Sequence, residues 1–184
     1  IDPRDEEYLD YPHIGAGNIV SNTGQLMKIR TAREEELISG KFVFDSSMVL
    51  YSKIRPYLMK VCRPKFTGLC SADIYPLRPI EKILDKDYLF YLLLSKDFTQ
   101  YAVSGSGRAG MPKVNRKHLF NYLVWLPSLP KQRLYARRID IVAENYHALV
   151  NIYNQKLLTL DELKKSILQK AFSGELTKGE GRAA

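Results

Sequence analysis

The spacing of apolar positions changes twice along the chain. From residue 11 to residue 77 they come in short runs separated by turn-forming residues. Residues 11–14 precede Gly15, Gly17 and Asn18, and residues 26–29 follow Thr23 and Gly24. With residues 48–52 (MVLYS), 58–62 (LMKVC) and 72–77 they read as strands. A helical turn is expected over residues 32–37, ended by Ser39 and Gly40. Pro56 is expected to drive the preceding Arg55 into an extended conformation between two strands. From Asp85 the period lengthens. Tyr88, Leu89, Leu92 and Leu93 recur at helical spacing behind an acidic start, and a second helix is expected over residues 97–103. Gly105, Gly107, Gly110 and Pro112 then interrupt any regular element. A short helix over residues 116–120 and a strand over residues 122–126, closed by Pro127 and Pro130, complete the first part.

The second change comes after Pro130. Residues 131–173 contain neither glycine nor proline. Set in heptads, their a positions are Ile139, Tyr146, Tyr153, Leu160 and Ile167, and their d positions are Val142, Leu149, Lys156, Leu163 and Lys170. Apart from the two lysines these form an apolar seam, so a coiled-coil helix of about 64 Å is expected at ~1.5 Å per residue. A globular part of this size is only about 30–35 Å across and cannot cover such a stripe, so the helix needs a partner helix. The fold class is α+β: a β-rich globular domain with short helices over residues 1–129, one long helix over 130–174, and a disordered tail over 175–184.

Composition narrows the class. With 184 residues and 45% hydrophobic content, the chain suits one globular domain with an appendage and is not intrinsically disordered. Cys62 and Cys70 lack the spacing of a zinc site and cannot supply a disulfide framework, so both are expected as buried thiols. No apolar run approaches the ~20 residues that span a bilayer, and the sequence is of a cytoplasmic type. It begins at Ile1 rather than methionine, as expected of a piece of a longer chain or a trimmed one. The formal charge of +8 is unevenly placed. Residues 1–40 hold 4 basic and 8 acidic side chains, residues 41–138 hold 18 and 6, and residues 139–184 hold 6 and 6. The excess lies in the middle, which excludes a generic basic tail and suits a polyanionic partner.

Within that middle, residues 105–110 match GxGxxG literally. A dinucleotide site would need a strand before the motif, a helix opening on it and an acidic residue about twenty positions on, and these are missing. A loop that lets backbone approach a partner closely fits better. Arg108 in it and Lys113, Asn115, Arg116, Lys117 and His118 after it, together with its glycines and small hydroxyls, suit phosphate and base-edge contacts, though a solvated basic turn would use the same residues. The second basic segment is residues 52–60, continued by Arg63 and Lys65. Lys53, Arg55 and Tyr57 there suit a nucleic-acid face, or a half-exposed sheet with Arg55 in an internal salt bridge. Catalytic signals are missing. His13, His118 and His147 lack ligand spacing, and Glu162 with Lys164 sits on the heptad helix rather than beside a metal-binding aspartate.

The strand-turn SKIRPYLMK, the helix YLFYLLLS, the run MPKVNRKHLFNYLVWLPSLPKQ and the ending LKKSILQKAFSGELT together resemble the specificity subunit of type I restriction-modification enzymes. The PxLPxQ junction and the closing LxxSILQKAFxGEL are the most specific parts, and the likeness runs from about residue 11 to 177. It implies one target recognition domain and one conserved helical spacer, where such subunits usually carry two of each with the helices in an antiparallel coiled coil. The partners implied are double-stranded DNA, a methyltransferase subunit, a restriction and translocase subunit, and a second copy or second half pairing through the long helix. S-adenosylmethionine, ATP and Mg2+ would belong to those partners, leaving no cofactor and no catalysis to this chain. The DNA-facing residues implied are Lys53, Arg55, Tyr57, Ser106, Arg108, Lys113, Asn115 and Lys117. The rival expectation is a coiled-coil interaction scaffold whose basic face binds protein.

Overall fold

The computed structural model describes residues 1–107 and 110–175. Its strands are β1 (Pro12–Ile14), β2 (Arg30–Thr31), β3 (Phe42–Phe44), β4 (Val49–Ser52), β5 (Val61–Cys62), β6 (Gly68–Cys70) and β7 (Ile74–Leu77). Its α-helices are α1 (Lys86–Leu93), α2 (Lys96–Ser104), α3 (Arg116–Phe120) and α4 (Leu129–Phe172). Single 3-10 turns cover Glu6–Tyr8 and Pro56–Leu58. The chain forms two compact units, Ile1–Arg137 and the part from Arg138 onward.

The first unit is α+β, with two sheets. One has the order β2-β1-β6-β3, with β1 and β6 parallel and the other pairs antiparallel. The other is antiparallel, in the order β5-β4-β7. Strand β4 explains their stacking. All four of its residues are buried, and alternate side chains leave opposite faces of a strand. Val49 and Tyr51 enter a core with Leu89, Phe90, Leu93, Phe98 and Leu119 from the helices. Leu50 enters the other core with Ile14, Phe44, Cys62, Cys70 and Ile74. The apolar run at residues 48–51 thus leads into a strand, 49–52, that is covered on both faces. Cys62 and Cys70 are buried free thiols, and burial pushes the Cys70 thiol up to about 12.

Side-chain caps place the helices. Asp85 accepts hydrogen bonds from the amides of Asp87 and Tyr88 at the start of α1, and Ser95 accepts from Phe98 N at the start of α2. On α4, Gln132 and Ala136 are the buried residues. Beyond Arg138 the seam residues Ile139, Val142, Tyr146, Leu149, Tyr153, Leu160, Leu163 and Ile167 are all exposed in the single chain.

Several expectations fail for identifiable reasons. Residues 26–29 form no strand, because Leu26 makes only an isolated bridge with Ile19 and the ladder begins at Arg30. Residues 32–37 close as turns with Glu36 left-handed, rather than as a helix. Leu58 belongs to the 3-10 turn, so β5 starts only at Val61. Arg55 is left-handed, with φ 49° and ψ 61°, and not extended. The proline excludes the right-handed helical region for Arg55, and the chain must also reverse there, which an extended residue would not do. Residues 122–126 pair with no strand, leaving Leu123 92% and Trp125 81% exposed, because β propensity without a neighbouring edge makes no ladder. Among the described residues no helix is long and apolar enough to cross a membrane, and no cluster could hold a metal ion.

Candidate nucleic-acid interface

The two basic segments are hydrogen-bonded to each other through residues about sixty positions apart in sequence. Ile54 and Lys113 form an antiparallel bridge. Arg55 N donates to Pro112 O at 2.8 Å, and Val114 N donates to Lys53 O at 2.8 Å. The left-handed Arg55 lets the chain leave this ladder and enter the 3-10 turn, whose other end, Met59, is also left-handed at φ 49°. Pro56 is buried and pins the turn from below. Arg55 and Tyr57 therefore stand exposed on a narrow ridge held at both ends by strained residues, a conformation that persists only where surrounding structure enforces it. Arg55 makes no ion pair among the described residues, so the internal salt bridge considered for it is not formed.

The lysines of the two segments converge on one carboxylate. Lys113 Nζ lies 3.0 Å and Lys53 Nζ 3.9 Å from Asp73 Oδ1. Lys53 is largely covered, with its ammonium 5.2 Å from the centre of the Tyr75 ring, whose hydroxyl donates to Val114 O. Burial pushes the Lys53 ammonium below its usual range, Lys113 adds to the effect, and Asp73 opposes it.

The other candidates divide. Lys117 is exposed on α3. Asn115 is exposed but its side-chain oxygen caps α3, accepting from His118 N at 2.8 Å. Ser106 is buried, contrary to a DNA-facing position: its hydroxyl donates to Val103 O at 2.8 Å and its carbonyl accepts from Lys113 N at 3.2 Å. A serine bonded within its own loop anchors that loop instead of presenting a hydroxyl outward. Arg108 lies outside the described residues.

Two further residues, Asp73 and Gln132, are not singled out in the sequence, and Arg116 stands there only as one of a basic run. Asp73 falls within the strand expected over residues 72–77, whereas it lies on the turn before β7. Arg116, one of the basic residues expected after the glycine loop, is exposed with its guanidinium 5.6 Å from the Phe120 ring. Gln132, fully buried, accepts from Asp85 N and donates to Ile83 O and Pro127 O, tying the first turn of α4 to the start of α1. Its place in PxLPxQ could have marked it, since a polar residue closing a proline-rich junction is well placed to bond the freed carbonyls.

Residues 2–160 match the family model described as the type I restriction modification DNA specificity domain. The chain is 38% identical over 172 residues to the type I restriction enzyme EcoDI specificity subunit of Escherichia coli, across 92% of this chain and 38% of that protein. It is 29% identical over 107 residues to the type I restriction enzyme MjaVIII specificity subunit of Methanocaldococcus jannaschii, across 58% of this chain and 24% of that one. The chain thus spans well under half of these curated relatives. Two solved structures share the fold. The HsdS subunit from Thermoanaerobacter tengcongensis superposes with a TM-score of 0.65 at 22% identity, over 76% of this chain and 37% of that one. A chain from a structure of type I R-M system assembly and conformational transition superposes with a TM-score of 0.68 at 19% identity, over 95% of this chain and 45% of that one.

Proposed function

The chain belongs to the type I restriction-modification DNA specificity domain family, and from that membership we propose that it reads one half of a bipartite duplex target and directs methyltransferase and restriction subunits to it. The observation that carries this is the ladder joining residues 53–55 to residues 112–114, which gathers the basic segments of the middle region into one ridge. In this reading residues 1–129 are the recognition domain and residues 130–174 the spacer helix, which pairs with a second copy or with a second half of a longer subunit.

Arg55, Tyr57, Lys113 and Lys117 are the outward contacts, and Arg108, outside the described residues, is proposed to join them. Lysines that meet phosphates release counterions and supply affinity, whereas Arg55 can reach a guanine edge with two bonds and Tyr57 can pack against a sugar or base. Lys53, mostly covered, supports the ridge, and Ser106 and Asn115 shape it. Recognition is the whole of the chain's task. S-adenosylmethionine, ATP and Mg2+ serve the partner subunits, in the cytoplasm.

Titration with duplex DNA at several salt concentrations tests this. Several phosphate contacts require a steep linear fall of log affinity with log salt, and Arg55→Glu together with Lys117→Glu should abolish binding while leaving the urea midpoint in place. A flat salt response means that the basic ridge does not meet DNA. The exposed apolar stripe of α4 equally serves a protein scaffold, and sedimentation with and without DNA separates the two, because a scaffold sediments identically in both.

A further inference from the structure

We propose that Asp73 is a specificity-determining positioning residue, whose carboxylate fixes the direction of Lys53 and Lys113 and cancels one of their two charges, so that the ridge discriminates among sequences instead of holding any phosphate. This rests on the DNA-reading role proposed above.

Asp73 touches both basic segments at once. Its carbonyl accepts the Lys53 amide at 3.0 Å, and its Oδ1 takes the Lys113 ammonium at 3.0 Å and lies 3.9 Å from that of Lys53. It is itself held, because its amide donates to Ser71 Oγ at 3.2 Å and the next residue, Ile74, donates to Ser71 O at 2.9 Å. The backbone of Asp73 is therefore held on the turn before β7, and from there its half-exposed carboxylate meets both lysines. Because both ammonium groups lie against one oxygen, they are at most about 7 Å apart, the sum of the two distances. Two cations so close repel each other unless an anion lies between them. In the free chain that anion is Asp73, which leaves a net charge of +1 on the three groups.

The consequence for binding follows from two opposed effects. An uncompensated lysine pair attracts the phosphate backbone of every duplex alike, and that attraction carries no sequence information. Lys113, tethered to that carboxylate and backed by the covered Lys53, reaches a phosphate or a base edge from one direction only, so its contact forms fully when the target places an acceptor there. Removing the charge should strengthen indiscriminate binding and weaken discrimination together. A purely structural ion pair, once removed, would lower stability and leave the ratio of the two unchanged.

Asp73→Asn keeps the volume, the backbone bonds and one side-chain oxygen while removing the charge. The experiment incubates the full chain, wild type or Asp73→Asn, with a pool of duplexes carrying randomised central positions, and sequences the retained fraction across several salt concentrations. For the variant we expect severalfold tighter overall retention and a salt slope steeper by about one, from one further uncompensated cation. Enrichment of the preferred half-site over the pool should fall roughly tenfold, the scale of one lost discriminating contact. Asp73→Glu, which keeps the charge on a longer arm, should restore the salt slope. Wild-type enrichment with an unchanged ratio and slope in Asp73→Asn overturns the role of Asp73 alone. Failure of the wild-type chain to enrich any sequence, with no salt-dependent retention, overturns the DNA-reading role and this inference with it.

Discussion

Tyr101 and His118 hold each other by a reciprocal exchange. Their rings stack with centroids 4.1 Å apart and planes 9° apart, Tyr101 Oη donates to His118 O, and His118 Nε2 donates to Tyr101 O, both at 2.8 Å. A carbonyl only accepts, so Nε2 carries the proton. The pair joins α2 to α3 across the glycine loop.

Gly105 lies against the His118 ring, and its φ of −94° is open to any residue. The position is glycine for space, since a Cβ there would overlap the imidazole. Gly105→Ala should cost about 1–3 kcal/mol, as overpacking does, and weaken DNA binding because the loop is displaced. Gly107 has nothing within 4 Å of a built Cβ, so Gly107→Ala should change stability by less than about 0.5 kcal/mol. Urea unfolding of both variants separates a packing role from a general need for glycine in this loop.

Gln132 makes a second sharp case. Its three hydrogen bonds satisfy one amide and two carbonyls at the entry to α4. Gln132→Leu fills similar volume but strands those groups, and should cost roughly 2–4 kcal/mol. Gln132→Glu should be worse, because it replaces the amino group facing two carbonyls with a second acceptor. Equal urea midpoints for wild type and Gln132→Leu would show that the junction is held by packing alone.

His13 sets a pH dependence. It is buried in β1 with Nδ1 2.7 Å from Glu35 Oε2, and its Nε2 has no hydrogen-bond partner. Burial pushes its pKa below the ordinary 6.5, Glu35 opposes this, and Lys41 adds to the lowering. The unfolded chain then binds a proton more readily than the folded one as pH falls through 6.5. Stability from this group is complete above that pH and is lost on acidification. Urea midpoints should be constant from pH 8 to 7 and fall between pH 7 and 5, and His13→Asn should flatten that fall.

How far the chain could be read without coordinates depended on the range of the forces involved. The helices are declared locally: Asp85, Ser95 and Asn115 cap α1, α2 and α3, and the run free of glycine and proline gives α4. The strand β4 was legible because a continuous apolar run has to be buried. Residues 122–126 were equally apolar and no strand formed, since pairing depends on an edge that sequence does not display. At the interface, Arg55 and Tyr57 were visible as residue types, but Ser106 had the type of a contact and the position of an anchor. Asp73 and Gln132 matter through bonds to residues roughly twenty to fifty positions away, and no local pattern reports such partners.

The long helix offers the plainest test of assembly. Its seam is apolar except at the d positions Lys156 and Lys170. Lys156 is exposed, with its ammonium 5.7 Å from the ring of Tyr153, one turn earlier in the same seam. In a paired coil a d side chain points into the partner, so Lys156 must bend outward to keep its charge in water, and a polar residue there reduces stability. Sedimentation equilibrium should show the chain as a reversible dimer. Lys156→Leu should tighten its dissociation constant by roughly tenfold, about 1.4 kcal/mol, within the transfer energy of one buried leucine side chain. Leu149→Glu, which puts a charge where the seam is continuous, should leave only monomer. If Lys156→Leu associates no more tightly than wild type, position 156 faces solvent in the assembly, and the heptad frame that places Ile139, Tyr146 and Tyr153 on the same stripe is wrong by at least one residue.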